Sequence, residues 1–378
     1  MRKRLLALGL STVLAMGAMS GCAGSSETDT EAETEETAVE EEATPEEEQE
    51  ASEEASSDTR VVEDSNGNEV TIPSEVTKAA PAIGAFAQMT EMLTGGEGKI
   101  VAAATENISD YFKEVFPDYL ESNPNNYDAA SVEDLIAAGA QVAYGPSSIY
   151  SEEQLAQLEA AGIAFVAIDN IATVDGMCQA FTIIGNILGE DEAAKAEEFV
   201  QYYKNSITDS EARTENLVDA DRKTILNLNY AAGAYSTTNS QDICHEYMTA
   251  AGAVNVAADY VGEAAGTALS VDREQIVSWN PDVIIVGSNE GKDAIMSDTA
   301  LASVTAVQNE DVYVVPTGIY RWNVRSGEGA MMTPWIGTVV YPEQFSDVDM
   351  NQIVKDFFND FYGYELDDAG VEKVLACE

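Results

Sequence analysis

Residues 317–328, running Thr317-Gly318-Ile319-Tyr320-Arg321-Trp322-Asn323-Val324-Arg325-Ser326-Gly327-Glu328, gather flat rings and fixed cations in one short stretch. Tyr320, Trp322, Arg321 and Arg325 could hold an aromatic or macrocyclic ligand bearing carboxylates, or a catecholate iron complex. Ring faces stack, and guanidinium forks pair with anionic oxygens. Two arginines within five residues stand out in a chain with 68 acidic and 18 basic residues. A structural reading competes, in which Trp322 packs in the core and Arg325 pairs with Glu328. Tyr230, Tyr235, Thr237 and Thr238 follow another strand and are expected to line the same cleft. So are Phe86, after the strand ending near Pro81, and Tyr144 and Ser147, at the exit of a third strand. His245 is the one histidine in the chain. It reads as a packed helix residue, with metal or haem ligation as the alternative, and a multi-His zinc or copper site is excluded. Gly-x-Ser-x-Gly, Walker, Gly-x-Gly-x-x-Gly and His-Glu-x-x-His motifs are absent, so no catalytic residue, enzyme activity or cofactor is expected.

The elements that must position these residues alternate in type. Arg60–Asp64 and Glu69–Pro73 flank Asn66-Gly67-Asn68, a hairpin signature. Strands are expected at Lys99–Ala103, Gln141–Tyr144 and Ala164–Ile168, with helices at Ile83–Leu93, Val132–Ala138 and Glu152–Ala161. Two helical runs follow, Val174–Leu188 and Glu190–Ile207, then a polar break over Thr208–Asp221. The pattern restarts with strands Thr224–Asn229, Asp282–Val286 and Val312–Val315 and helices Thr238–Ala250 and Arg273–Ser278. Met350–Cys377 is expected to be helical, with an apolar face of Phe357, Phe358, Phe361 and Tyr362. Such alternation predicts an α/β fold of two lobes, each with a mostly parallel sheet flanked by helices, joined by one long helix, with a ligand cleft between them. The expected divisions are 59–173, a linking region 174–217, 218–348, and C-terminal helices 349–378 packing back on the domain. Trp279, before Asn280-Pro281, reads as structural.

The net charge is −50, which excludes nucleic acid as a partner. Cys178, Cys244 and Cys377 are too widely spaced for a disulfide framework. Arg2, Lys3 and Arg4 precede an apolar run from Leu5 to Met19, a signal peptide over 1–21. Met19-Ser20-Gly21-Cys22 resembles the lipobox of bacterial lipoproteins, with Met19 where an aliphatic residue is usual. That implies lipidation of Cys22 and attachment to the extracytoplasmic face of the cell membrane. Residues 23–58 hold 16 acidic residues and no Lys or Arg, so residues 22–58 are expected to act as a lipidated, disordered tether.

Ser270 to Val286, through Asp272-Arg273-Glu274-Gln275-Ile276 and Trp279-Asn280-Pro281-Asp282, is similar to a recurring segment of solute-binding proteins. These serve ABC importers of iron complexes, haem and cobalamin, and have a single linking helix. Ser131-Val132-Glu133-Asp134-Leu135-Ile136 resembles the first-lobe counterpart, although Ala137 to Val142 replaces the usual Lys-Pro-Asp-Leu-Val. Ala250 to Ala257, Val314-Val315-Pro316 with Gly318, and Tyr341-Pro342-Glu343 extend the likeness across residues 60–375. The resemblance implies a monomer that does no chemistry. It would capture an iron-siderophore, haem or corrinoid complex between the lobes and deliver it to a permease and its ATPase. Glu133 and Glu274 match the family's two docking glutamates, which pair with permease arginines. Some relatives of this fold bind oxyanions such as molybdate, which Arg321 and Arg325 would also serve. A surface sensor or adhesion lipoprotein is the alternative from another class.

Overall fold

A computed structural model describes residues 58–103, 108–266 and 268–377. The expected signal peptide, Cys22 and tether lie outside the described residues. The chain opens with a hairpin, β1 (Thr59–Glu63) against β2 (Glu69–Pro73), antiparallel from Thr59 opposite Pro73 to Glu63 opposite Glu69. Arg60 fastens it. Its guanidinium donates to the carbonyls of Ser74, Asn186 and Ile187 at 3.1, 2.5 and 2.6 Å.

The first lobe runs β3 (Ala79–Pro81), α1 (Gly84–Thr94), α2 (Asp110–Val115), α3 (Asp118–Ser122), α4 (Val132–Ala138), β4 (Val142–Gly145), α5 (Glu152–Ala160) and β5 (Ala164–Ala167). Its sheet is parallel, in the order β3-β4-β5. All three residues of β3 and all four of β4 are buried. This is the pattern of strands covered on both faces. The strand expected at Lys99–Ala103 reduces to a single parallel bridge between Ile100 and Ala79.

Two helices then connect the lobes, α6 (Val174–Leu188) and α7 (Glu190–Thr214). A side chain at Gly185 would meet Ala196 and the Ala193 backbone within 3 Å, so small residues let the two helices approach closely. The expected break at Thr208 does not occur. Ser206 donates to the Ala330 carbonyl, Ser210 and Thr214 are buried, and Arg213 pairs with Asp347. Tertiary contacts thus carry a polar sequence through two more turns. At 25 residues, α7 is roughly 37 Å long.

The second lobe contains β6 (Thr224–Ala231), β7 (Ala234–Thr237), α8 (Ile243–Ala250), β8 (Val254–Asn255), β9 (Ala264–Ala265), β10 (Ala268–Val271), α9 (Arg273–Trp279), β11 (Val283–Val286), α10 (Asn289–Ser297), α11 (Thr305–Gln308), β12 (Val312–Val314) and α12 (Met332–Val340). Its strand order is β12-β11-β6-β7-β10-β9, with β8 also against β6. The β12-β11-β6 core is parallel, and the β7-β10-β9 extension is antiparallel. The helix expected from Thr238 begins only at Ile243, where the Asp242 side chain caps it. The chain closes with α13 (Met350–Tyr362) and α14 (Asp368–Ala376). Phe357 and Phe361 lie edge-on to Phe199 of α7, at ring separations of 6.3 and 5.2 Å.

Candidate ligand-binding cleft

In parallel α/β lobes the loops at the carboxyl ends of the strands are free to build a site. Here those loops meet across the lobes. A side chain added to Gly84, at the start of α1, would come within 3.2 Å of the Tyr320 hydroxyl. Ser109, which caps α2, donates to the Ile319 carbonyl at 3.0 Å. Farther back, Glu246 of α8 accepts from the Val174 N–H at the start of α6, at 2.6 Å.

The second-lobe side centres on residues 317–328. Tyr320 is half-buried, and Arg321 is exposed. The Arg321 side chain makes no ion pair or hydrogen bond with any described residue. Trp322 is 0 % exposed, and its indole donates to Glu328 at 2.8 Å. It belongs to the core rather than the cleft wall. Arg325 pairs with Asp242 at 3.1 Å, not with Glu328.

Glu328, also 0 % exposed, has a different circle of partners. Its Oε1 accepts from the backbone of Ile319 and Tyr320 and from the Tyr362 hydroxyl, at 2.8, 3.1 and 2.9 Å. Its Oε2 accepts from the Gly318 backbone and the Trp322 indole. Burial pushes the carboxyl up to about 7, against these donors, which favour the anion.

Several other expected wall residues are corrected to supporting ones, because they are buried or because their polar groups are already taken by protein partners. Phe86 is fully buried, as is Tyr144, whose hydroxyl bonds Thr90. Tyr235 turns away to Asp298, under the Arg273 guanidinium. Thr237 donates to the Asn227 carbonyl, and Thr238 accepts from the Asn227 side chain. Ser147 is exposed, but its N–H and hydroxyl both go to Asp169. His245 sits half-buried with one ring nitrogen 3.3 Å from the Asn255 carboxamide. Among the described residues no group of three or more His, Cys, Asp or Glu could hold a metal ion.

The structure adds a polar floor. On β6, Ile225, Asn227 and Asn229 alternate with Leu226, Leu228 and Tyr230, so both asparagines share one face. The Asn323 carboxamide reaches Asn227 at 3.2 Å. A side chain at Gly287, just past β11, would meet Asn229 Oδ1 at 3.2 Å and Arg321 Nη1 at 3.7 Å. The signal was present as Asn-x-Asn inside an otherwise apolar strand. Opposite lies α1, whose start has no side-chain cap and no acidic residue in its first turn. Its first N–H groups therefore offer partial positive charge without a competing carboxylate. A neighbouring groove of about 630 Å³ between α2, Thr317 and α14 is lined by Asp110, Glu114, Glu365 and Asp367 against the single cation Lys373, a balance that disfavours anions on that flank.

Glu133 and Glu274 are both exposed in the first turn of helices capped by Ser131 and Asp272. Each helix runs back toward the start of the parallel strand that follows it, so each glutamate lies at the carboxyl-end edge of its sheet. Arg273 does not neutralise Glu274, because it pairs with Asp298 at 2.6 Å.

A family model described as periplasmic binding protein matches residues 123–317. The molybdate-binding protein MolA of Haemophilus influenzae is 23% identical over 349 residues, covering 82% of this chain and 93% of that protein. Among solved structures, a periplasmic solute binding protein from Veillonella parvula is 25% identical with a TM-score of 0.71, over 84% of this chain and 97% of the other. The Helicobacter pylori Ceue structure with Ni(II) bound is 20% identical with a TM-score of 0.64, over 84% and 99% of the two chains.

Proposed function

The chain belongs to the periplasmic binding protein family, and from that premise we propose that it is the solute-binding component of an ABC importer, capturing an anionic metal complex of the ferric-siderophore kind. The observation that carries the ligand class is Arg321. In a chain of net charge −50, it is exposed beside Tyr320 without a carboxylate partner among the described residues, and it lies beside Asn229 on the polar floor. An unpaired guanidinium beside carboxamides and an uncapped helix start suits concentrated negative charge on oxygen. With Trp322, Phe86, Tyr144 and Tyr235 buried and Tyr230 packed beside Tyr235, Tyr320 is the expected wall ring left beside Arg321 among the described residues, so support for haem or a corrinoid weakens. A metal oxyanion is the second reading. It is favoured by the nearness of Arg321 and Asn229, which both come within 4 Å of a side chain built at Gly287, and by the name of the Haemophilus influenzae relative.

Delivery in this reading runs through Glu133 and Glu274, whose carboxylates would pair with permease arginines. Lipidation of Cys22 would hold the chain near that permease on the extracytoplasmic face. The test is calorimetric titration with a ferric catecholate, molybdate, haem and cobalamin, run beside uptake in cells. Arg321→Ala should weaken the anionic ligand by about tenfold to a hundredfold, equivalent to losing one charge-assisted contact. Reversing both glutamates should abolish uptake with affinity unchanged. Binding of haem or cobalamin alone, indifferent to Arg321→Ala, would overturn the ligand reading.

A further inference from the structure

We propose that Glu328 is the positioning residue of this cleft: its carboxylate holds residues 317–328 in the conformation that presents Tyr320 and Arg321, and Tyr362 and Gln88 tie that conformation to the first lobe. The proposal rests on the reading of the cleft as the ligand site.

Three consecutive backbone N–H groups, those of Gly318, Ile319 and Tyr320, converge on one carboxylate. The segment is mostly closed to water, and its own backbone supplies only a Thr317–Arg321 bridge, in which the Gly318 N–H also reaches the Tyr320 carbonyl at 3.3 Å. Without the carboxylate the Ile319 and Tyr320 donors would be orphaned, at a cost well above that of an ordinary lost hydrogen bond. Space enforces the arrangement as well as polarity. A side chain at Gly318 would come within 2.7 Å of Glu328 Oε2 and 2.9 Å of Phe358.

The link to the first lobe has two bonds. Gln88 of α1 donates to the Tyr362 hydroxyl at 2.6 Å, and that hydroxyl donates on to Glu328. The Gln88 carbonyl oxygen accepts from Gly327 at 2.9 Å. The helix whose uncapped start faces Tyr320 is therefore fastened, one turn on, to the loop that carries Tyr320 and Arg321. The carboxylate acts on ligand only through these two side chains.

Both Glu328 oxygens are taken by donors, so a proton on either would point at an N–H or O–H. The groups facing it are Tyr362 from α13, the neutral Gln88 behind that hydroxyl from α1, the Gly318–Trp322 donors of its own loop, and the apolar Phe358. None brings a second charge. Protonation should loosen the loop while relieving the burial of charge. A carboxyl whose folded-state value lies above its ordinary 4.5 stabilises the fold as pH falls. Anion affinity and fold stability should therefore move in opposite directions on acidification through about 7.

The experiment uses the full chain as wild type, Glu328→Gln and Glu328→Asp. Hydrogen exchange is read at Gly318, Ile319 and Tyr320, and sodium molybdate and a ferric catecholate are titrated at pH 8 and pH 6. Glu328→Gln should speed exchange at those three amides by about tenfold or more, with other second-lobe amides nearly unchanged. It should weaken whichever probe the wild type binds by about tenfold and remove the Glu328 part of the affinity difference between the two pH values. Glu328→Asp, which keeps the charge, should recover part of each effect. Unchanged exchange at the three amides, or equal acceleration across the whole lobe, would overturn the proposal. Wild type binding neither probe would count against the ligand reading alone, with the exchange pattern still deciding the role of Glu328.

Discussion

Helix α1 of the first lobe and the 317–328 loop of the second each bury a whole glutamate, and they do so in opposite ways. Glu328 is met by five donors on its two oxygens. Glu91, equally enclosed, has no hydrogen-bond partner on either oxygen among the described residues. Burial first, and then the charge of Asp118, pushes the Glu91 carboxyl up to about 8. The second lobe thus surrounds an anion with donors and uses it to shape a loop. The first lobe keeps a neutral acid as filling between α1 and the aromatic packing around Phe116 and Tyr119. Burial alone does not make an acid functional. The donors aimed at it decide which protonation state the fold is built around.

Removing the acceptor altogether is the most severe way to break that contrast. Glu328→Leu should destabilise the fold by about 4 kcal/mol, since buried donors are left unpaired and their costs are not additive. Chemical denaturation at pH 8 measures it, and a loss below about 1 kcal/mol would mean that the loop finds other partners. Glu91→Met should do the reverse. Folded Glu91 stays neutral to about 8, whereas an ordinary carboxyl ionises near 4.5, so wild-type stability drains away as pH rises between those values. The stability of Glu91→Met relative to wild type should therefore grow by on the order of 4 kcal/mol across that window. A flat difference in urea melts from pH 4.5 to 9 would contradict it. Tyr362→Phe should be the mildest. It removes one of the five donors and leaves Gln88 short of an acceptor, costing about 1 kcal/mol and raising exchange chiefly at Gly327.

Elements with strong periodicity were legible before any coordinates. The hairpin, α1, α4 and the α9-to-β11 passage all lie within a residue or so of their expected ranges. The cleft was less so. Arg325 finds Asp242, 83 positions away in sequence, and no local pattern could have preferred that partner to Glu328. For Trp322 the sequence leaves two readings open, a cleft wall and a core residue, and the structure takes the second. What draws it inward is an acceptor whose burial only the tertiary fold creates. The helical spacing extends back to Thr238, but the helix starts at Ile243, because the Asp242 side chain caps it there. Asn227 and Asn229 are the reverse case, an alternation visible in the strand itself whose meaning depends on Asn323 and Arg321 arriving from a distant loop.

The Arg60 clamp has a mechanical consequence. β1 and β2 leave the hairpin side by side, Thr59 opposite Pro73, so tension applied ahead of Thr59 opens the ladder one rung at a time instead of shearing all rungs together. Arg60 stands at the second of those rungs, opposite Ile72, and spreads the load to Ser74 and to the end of α6. A chain pulled by its amino-terminal side would strain this fastening as soon as the Thr59 rung opened. The cleft, carried on other elements, would keep its shape until Arg60 let go.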